Sequence, residues 1–132
     1  MSDDRKPRSE KFERGLATRR AVLGDDYVQR SLDQADDFNW AMQQLTTEWC
    51  WDEIWNRPGL DRRSRSILNI GMIAALNRPH EFKLHVRGAL NNGITKDELK
   101  ELFLQVGIYC GIPAALDCFR NAREVFREMG LE

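Results

Sequence analysis

Apolar residues recur along this chain three and four positions apart, and the alternation of apolar and polar residues that is typical of strands is missing. The pattern predicts about six helices, separated by residues that commonly begin or end helices. They cover residues 11–23, 26–55 with a break near Asp36 or Asp37, 61–77, 79–92, 96–110 and 113–130. The expected fold class is therefore all-α.

A short turn separates the helices predicted over residues 79–92 and 96–110. Thr95 and Glu98 form the sequence pattern of a capping box at the start of the second of these helices. Helices joined so closely usually lie antiparallel, so the two are expected to form a central helical hairpin in a single-domain bundle. Within that domain, residues 1–24 are predicted to be an N-terminal arm and first helix, and residues 25–132 the main helical domain.

Composition narrows the possible partners. The 20 basic and 21 acidic residues give a net charge of -1, without a long run of like charge, which argues against binding to nucleic acid or anionic lipid. The longest apolar stretch, "ILNIGMIAAL", is too short to span a membrane. Three cysteines at wide spacing, without a CxxC pair, predict free thiols in a soluble cytoplasmic protein.

His85 is the most informative polar residue. It falls in the middle of a predicted helix, and Glu81 lies one turn earlier. A carboxylate at that spacing can fix the tautomer of the imidazole and favour its charged form, so His85 is either catalytic or a structural histidine with satisfied hydrogen bonds. A metal site is less favoured, because His80 lies too far round the helix to share an ion with His85. No cysteine stands at helical spacing from His85, and no metal is predicted.

Arginines concentrate just before and after Asp61. Most of them suit a solvated helix face, but Arg65 flanks the apolar stripe of its helix, where a guanidinium can bind a carboxylate at two points. Four tryptophans precede this segment. Such clusters are usually core or subunit contacts, although Trp55, beside "NRPGL", can also wall a small cavity.

Three longer motifs carry a family resemblance. They read "W.RPGLD..SRS", "E..LH..GALNNG.T..E" and "Q...YCG.PAALD.F", in that order. With them, nearly the whole chain after residue 25 resembles the 4-carboxymuconolactone decarboxylase family, a branch of the alkylhydroperoxidase-D-like superfamily. The redox branch of that superfamily has a CxxC motif followed by a histidine. Arg78 and Glu81 hold the two cysteine positions here, which argues against peroxide reduction.

The resemblance implies an activity. It predicts a carboxy-lyase that converts 4-carboxymuconolactone to 3-oxoadipate enol-lactone and CO2 in the protocatechuate branch of the β-ketoadipate pathway. No cofactor is expected, because the lactone carbonyl accepts the electrons released by the departing carboxylate. The family also implies a homo-oligomer, predicted to be a hexamer. The alternatives are a non-catalytic helical binding or assembly module and, less favoured, a thiol-dependent peroxide reductase.

The resemblance supports a site more strongly than it divides the roles within it. Arg65 is expected to bind the acetate arm of the dicarboxylate lactone. His85, kept protonated by Glu81, is expected to donate to the lactone oxygen or to protonate carbon. Tyr109 is a second possible donor or a core tyrosine with a satisfied hydroxyl, and Trp55 completes the predicted substrate-binding set.

Overall fold

The computed structural model describes residues 6–132, and every regular element in that range is a helix. The chain forms two compact units, and the boundary between them follows Leu60. The first contains α1 (Glu10–Leu23), α2 (Asp25–Asp33), α3 (Trp40–Leu45) and a π-helix (Thr46–Ile54), and the second contains α4 (Arg62–Leu76), α5 (Pro79–Asn91), α6 (Lys96–Cys110) and α7 (Ile112–Glu128). The all-α prediction is confirmed. None of the described helices combines the length and apolar character needed to cross a membrane.

The helical region predicted over residues 26–55 is interrupted at the expected place. The Asp36 carboxylate accepts hydrogen bonds from the backbone N–H groups of Phe38 (3.0 Å) and Asn39 (3.2 Å). The side-chain oxygen of Asn39 in turn accepts from the backbone N–H of Asp36 (2.9 Å). Side-chain bonds of this kind compete with the helical pattern. The break near Asp36 is therefore confirmed, and within residues 6–132 it raises the number of helices above the predicted six.

The two compact units meet in the chain after Leu60. The sequence predicts an N-terminal arm and first helix over residues 1–24 and the main helical domain over residues 25–132. Hydrogen bonds join α1 to α2 across the predicted boundary: a guanidinium nitrogen of Arg20 donates to Gln29 Oε1 over 2.7 Å. The start of the predicted N-terminal arm, residues 1–5, lies outside the described residues.

Local signals define where the helices of the second unit begin. The Asp61 carboxylate accepts from the backbone N–H of Ser64 (2.7 Å) at the start of α4. At the start of α6, Thr95 Oγ1 accepts from the backbone N–H of Glu98, and the Glu98 carboxylate accepts from that of Thr95, both over 3.1 Å. The capping box predicted from the sequence is confirmed.

The four helices of the second unit pack as a bundle in which α4 and α7 each lie beside both α5 and α6. Consecutive helices α5 and α6 are therefore diagonal neighbours. They meet at the centre of the bundle through Phe82 and Phe103, whose ring centroids are 5.7 Å apart. They are joined by the short turn that the sequence predicts, and the backbone of α5 lies closer to that of α4 than to that of α6. The shared core is built from Ile70, Phe82, Val86, Leu99, Phe103, Val106, Cys118 and Val125.

In the first unit, α1 packs closely against the π-helix at Gly15. A Cβ atom added to Gly15 would overlap the carbonyl oxygen of Thr47 and lie 2.9 Å from its carbonyl carbon. It would also lie 3.2 Å from the backbone nitrogen of Asp52. These are backbone atoms, which cannot rotate away as the end of a side chain can. Glycine is thus required here by the approach of two helices.

We expect Gly15→Ala to lower the free energy of unfolding of the first unit by about 3 kcal/mol, because overpacking against backbone outweighs the better helix propensity of alanine. The matched control is Gly71→Ala, another substitution in a helix. A Cβ at Gly71 meets no atom within 4 Å, so this variant should be as stable as the wild type or slightly more so. Urea unfolding of both variants measures the difference, and equal stabilities would contradict the predicted close approach.

Candidate active site

Polar contacts join α4 and α5 along a line that we call the α4–α5 seam. At one end, Asn92 Nδ2 donates to the hydroxyl of fully buried Ser66 (2.9 Å). About one turn further along α4, Asn69 Nδ2 lies 3.4 Å from His85 Nδ1. Higher residue numbers on α4 pair with lower numbers on α5, so the two helices run antiparallel. The seam holds His85 against a polar side chain of α4.

Three of the residues selected from the sequence follow this seam. Arg65 lies one turn before Asn69 on α4, and Glu81 lies one turn before His85 on α5. Because the helices are antiparallel, these two steps lead in opposite directions from the Asn69–His85 contact. Each step is about 6 Å along the helix axis. By backbone position, Arg65 therefore lies towards one end of the seam from this contact and Glu81 towards the other.

Burial governs the protonation state of His85. The imidazole is partly buried, and this burial lowers its pKa from the ordinary 6.5 to about 4, although the charge of Glu81 acts in the opposite direction. The prediction that Glu81 keeps His85 protonated at neutral pH is wrong. Glu81 is exposed, and its field does not compensate for the desolvation of the imidazolium. At pH 7 the ring is neutral, with one nitrogen donating and the other accepting.

Arg65 differs from the other two arginines of α4 in its exposure. Arg62 and Arg63 are exposed, whereas the side chain of Arg65 is partly buried and its Nε atom is fully so. The residue sits near the N-terminus of α4, its backbone N–H donating to the carbonyl of Asp61 over 3.1 Å. The positive end of the helix dipole adds to the guanidinium charge there. This end of the seam therefore suits an anionic group.

Tyr109 belongs to another surface of the second unit. Its side chain is 83% exposed, so it is not a core tyrosine. With Met72 and Leu102 it lines an apolar groove of about 520 Å³ between α4 and α6. Neither Arg65 nor His85 lines this groove. The structure thus separates Tyr109 from the residues of the α4–α5 seam.

Trp55 lies in the core of the first unit. Only 4% of it is exposed, and its ring stacks on Trp51 with centroids 4.8 Å apart. A hydrogen bond also links its side chain to the thiol of Cys50. Its ring and its side-chain N–H group therefore both have partners within the first unit. This packing favours the structural interpretation of Trp55 over the substrate cavity considered from the sequence.

Two of the three cysteines are unsuited to act as activated nucleophiles. Cys50, Cys110 and Cys118 are free thiols. Burial raises the pKa of Cys118 to about 11 and also raises the pKa of Cys50. Such thiols keep their protons at neutral pH and react slowly. Across residues 6–132, no three His, Cys, Asp or Glu side chains come together as a metal site would require.

Sequence reasoning missed Asn69, the residue that contacts the imidazole. A signal was present, because Asn69 is the polar residue inside the apolar run "ILNIGMIAAL" and lies one turn after Arg65. A polar side chain in such a run is usually hydrogen-bonded. The identity of its partner required the packing of α4 on α5, which periodicity alone does not specify.

The low pKa of His85 predicts how stability depends on pH. Above pH 6.5 the imidazole is neutral in both the folded and the unfolded chain, and the full stability is present. As the pH falls towards 4, the unfolded chain binds a proton at His85 that the folded chain does not bind. The free energy of unfolding therefore decreases by about 3 kcal/mol. Unfolding curves at several pH values measure this loss. His85→Gln should remove that part of the pH dependence and exposed His80→Gln should keep it; identical curves for the two variants would contradict the burial of His85.

Comparison with known proteins agrees with this architecture. Residues 41–124 match the model of the carboxymuconolactone decarboxylase family. The chain is 43% identical to a 4-carboxymuconolactone decarboxylase of Acinetobacter baylyi over 122 residues, which cover 92% of this chain and 91% of the relative. The protein therefore belongs to the carboxymuconolactone decarboxylase family, and the resemblance carried by its motifs is confirmed.

Two further relatives extend the comparison. A nitrosuccinic acid decarboxylase of Metarhizium robertsii is 40% identical over 118 residues, 89% of this chain and 82% of that protein. A 4-carboxymuconolactone decarboxylase of Pseudomonas putida is 42% identical over 38 residues, 29% of this chain and 79% of that protein. The names of these relatives have decarboxylation in common, whereas their named substrates differ.

Proposed function

We propose that this protein is a carboxy-lyase that converts 4-carboxymuconolactone to 3-oxoadipate enol-lactone and CO2 in aromatic catabolism. The observation that carries the proposal is the 43% identity, over 92% of the chain, with a decarboxylase named for that substrate. The likeness to a nitrosuccinic acid decarboxylase supports loss of CO2 as the shared chemistry. The partly buried guanidinium of Arg65 and the neutral imidazole of His85 are suitable groups for binding a dicarboxylate.

The substrate supplies its own electron sink. When the carboxylate on the γ-carbon leaves as CO2, two electrons move through the ring double bond to the lactone carbonyl and give an oxyfuran-like anion. One proton then adds to the α-carbon, which yields the enol-lactone. The protein has to hold a dianion, stabilise charge on the lactone oxygen and deliver that proton. None of these tasks calls for a cofactor.

Arg65 is assigned to the acetate arm. A planar guanidinium binds a carboxylate at two points, and its partial burial strengthens the interaction. Binding the departing carboxylate equally tightly would stabilise the ground state and slow the loss of CO2. The acetate arm takes no part in the bond cleavage, so it can be held firmly throughout the reaction.

His85 is assigned to the lactone oxygen. Its neutral ring can donate one N–H hydrogen bond to that oxygen, and the bond strengthens as negative charge develops there. Glu81, exposed to solvent one turn away, is assigned to passing a proton from water to the α-carbon. Glu81→Gln should therefore lower kcat with little change in substrate binding. If kcat is unchanged in that variant, the proton is delivered by another route.

Tyr109 and Trp55 are assigned outside this site. The groove that Tyr109 lines is apolar, and Met72, Ile108 and Leu104 are also strongly exposed on these helices. We infer that this surface contacts further copies of the chain, in line with the hexamer implied by the family. Leu68, 52% exposed, lines the groove and is the sharpest test. Light scattering should report an oligomer for the wild type and smaller species for Leu68→Arg; an active monomeric wild type would contradict this.

A substrate comparison tests the proposed reaction. The protein should turn over 4-carboxymuconolactone with a higher kcat/KM than nitrosuccinate, the acid named for the Metarhizium relative. If kcat/KM is instead higher for nitrosuccinate, the protein would still be a decarboxylase, but with a different substrate. A folded protein that is inert towards both acids would favour a non-catalytic assembly module, and thiol-dependent consumption of peroxide would favour the redox branch. The free thiols support placing the reaction in the reducing cytoplasm.

A further inference from the structure

The contact between Asn69 and His85 bears on which imidazole nitrogen carries the proton. Asn69 Nδ2 lies 3.4 Å from His85 Nδ1, on the side of the ring that faces α4. An amide nitrogen is a hydrogen-bond donor and never an acceptor. The ring nitrogen opposite it must therefore offer a lone pair. In a neutral imidazole, the single proton is then on Nε2.

We propose that Asn69 is a positioning residue, whose amide N–H donates to His85 Nδ1 and so holds the imidazole as the neutral Nε2–H tautomer. The proposal deepens the function proposed above and rests on it for its catalytic meaning. Through this contact His85 becomes a hydrogen-bond donor towards the substrate. It does not become a base.

The opposite arrangement would give a different site. If the carbonyl oxygen of Asn69 faced the ring, Nδ1 would carry the proton and Nε2 would present a lone pair, as in enzymes whose histidine removes a proton. Decarboxylation of a lactone creates negative charge on oxygen and removes no proton from the substrate. A lone pair facing that oxygen would repel it, whereas an N–H group would stabilise it. The reaction therefore favours the arrangement in which the amide nitrogen faces the ring.

Several charged groups of α5 are paired with α7, and Glu81 acts on His85 in a different way from Asn69. On the side of α5 that packs against α7, Lys83 pairs with Glu124 (2.5 Å) and Arg87 with Glu128 (3.0 Å). Glu81 acts on His85 through its charge, and that interaction favours the imidazolium without selecting a tautomer. An amide is the group suited to selecting one neutral tautomer, since an aspartate at the same position would accept the Nδ1 proton and stabilise the other.

Nuclear magnetic resonance of the full-length protein labelled with 15N-histidine tests the tautomer directly. The chain has two histidines, so exposed His80 provides an internal reference with averaged tautomers. At pH 7 we expect His85 to give a protonated Nε2 and an unprotonated Nδ1. A protonated Nδ1, or an imidazolium, in the wild-type protein would overturn the proposal. This readout requires no substrate and no variant.

Two variants test the role of the contact. In Asn69→Asp the proton should move to Nδ1, and in Asn69→Leu the preference for one tautomer should weaken. Asn69→Asp should lower kcat about a hundredfold with little change in KM, the size of effect found when one oxyanion donor is lost, and Asn69→Leu should lower kcat less, because part of the population keeps the Nε2–H donor. An unchanged His85 tautomer in both variants would overturn the proposal.

The two proposals fail in different ways. A wild-type protein with the Nε2–H tautomer but without decarboxylase activity would remove the proposed function and leave the Asn69–His85 arrangement in place. An active enzyme with the proton on Nδ1 would retain the function and remove the role of Asn69.

Discussion

Replacing His85 with alanine is expected to lower kcat for 4-carboxymuconolactone by about a hundred- to a thousandfold, because the variant loses the N–H group that stabilises charge on the lactone oxygen. The KM should change much less, since this hydrogen bond becomes strong only as the charge develops. Steady-state kinetics at saturating substrate, monitored by the absorbance of the conjugated lactone, measures the effect.

Two further variants show what kind of group His85 is. His80→Ala removes an exposed histidine from the first turn of the same helix and should leave kcat unchanged. His85→Gln restores an N–H donor that cannot transfer a proton, so it should recover part of the activity lost in His85→Ala. If glutamine is as inactive as alanine, His85 acts as a proton donor after all. If His85→Ala retains normal turnover, the histidine is structural.

Arg65→Lys is expected to raise KM by about ten- to a hundredfold with a smaller effect on kcat. An ammonium conserves the charge but cannot bind the acetate arm at two points, so about 1–3 kcal/mol of binding is lost. The loss falls equally on the substrate and the transition state, because the acetate arm does not change during the reaction. Substrate binding can also be followed by calorimetry in the inactive His85→Ala background.

The matched control for Arg65 is Arg62→Lys, on the same helix and exposed. It should bind the substrate as the wild type does, because an exposed and mobile guanidinium contributes little to a fixed geometry. Normal kinetics in Arg65→Ala would show that the acetate arm binds elsewhere, and Arg57 and Arg62 would then be the next residues to test.

The sequence predicted where helices begin better than it predicted which helices pack together. Asp61 and the Thr95–Glu98 pair act on backbone groups within three residues, so their effect can be inferred from spacing alone. The partner of α5 cannot be inferred in this way. A short turn suggested α6, yet the shared core around Phe82 and Phe103 makes α5 and α6 diagonal neighbours. Core packing across the whole unit decides that arrangement.

The π-helix was also beyond reach of the sequence pattern. Residues 46–54 have helical periodicity, which does not distinguish a π-helix from an α-helix. Gly15 of α1 approaches the carbonyl of Thr47 there, in a place where no side chain fits. The pattern predicted a helix over this region, but neither the type of helix nor this contact between residues about thirty positions apart in the chain.

The candidate site was predicted in its residues more than in its chemistry. Spacing and motifs predict Arg65, Glu81 and His85 as site residues, and of these His85 contacts α4 through Asn69. The protonation of His85 was predicted wrongly, because spacing gave the neighbouring carboxylate but not the burial that outweighs it. For the same reason the sequence left open whether Trp55 is a ligand wall or part of the core. Burial depends on tertiary packing, and the pKa of a buried group depends in turn on its burial.

The most direct test of the proposed decarboxylase activity is to add purified, chelator-treated protein to 4-carboxymuconolactone and to measure the lactone absorbance and the released CO2 together. We predict that the absorbance of the conjugated ring falls at a rate proportional to protein concentration, with one CO2 released for each lactone consumed and no dependence on added metal. A folded wild-type protein that leaves both the absorbance and the CO2 unchanged would contradict it.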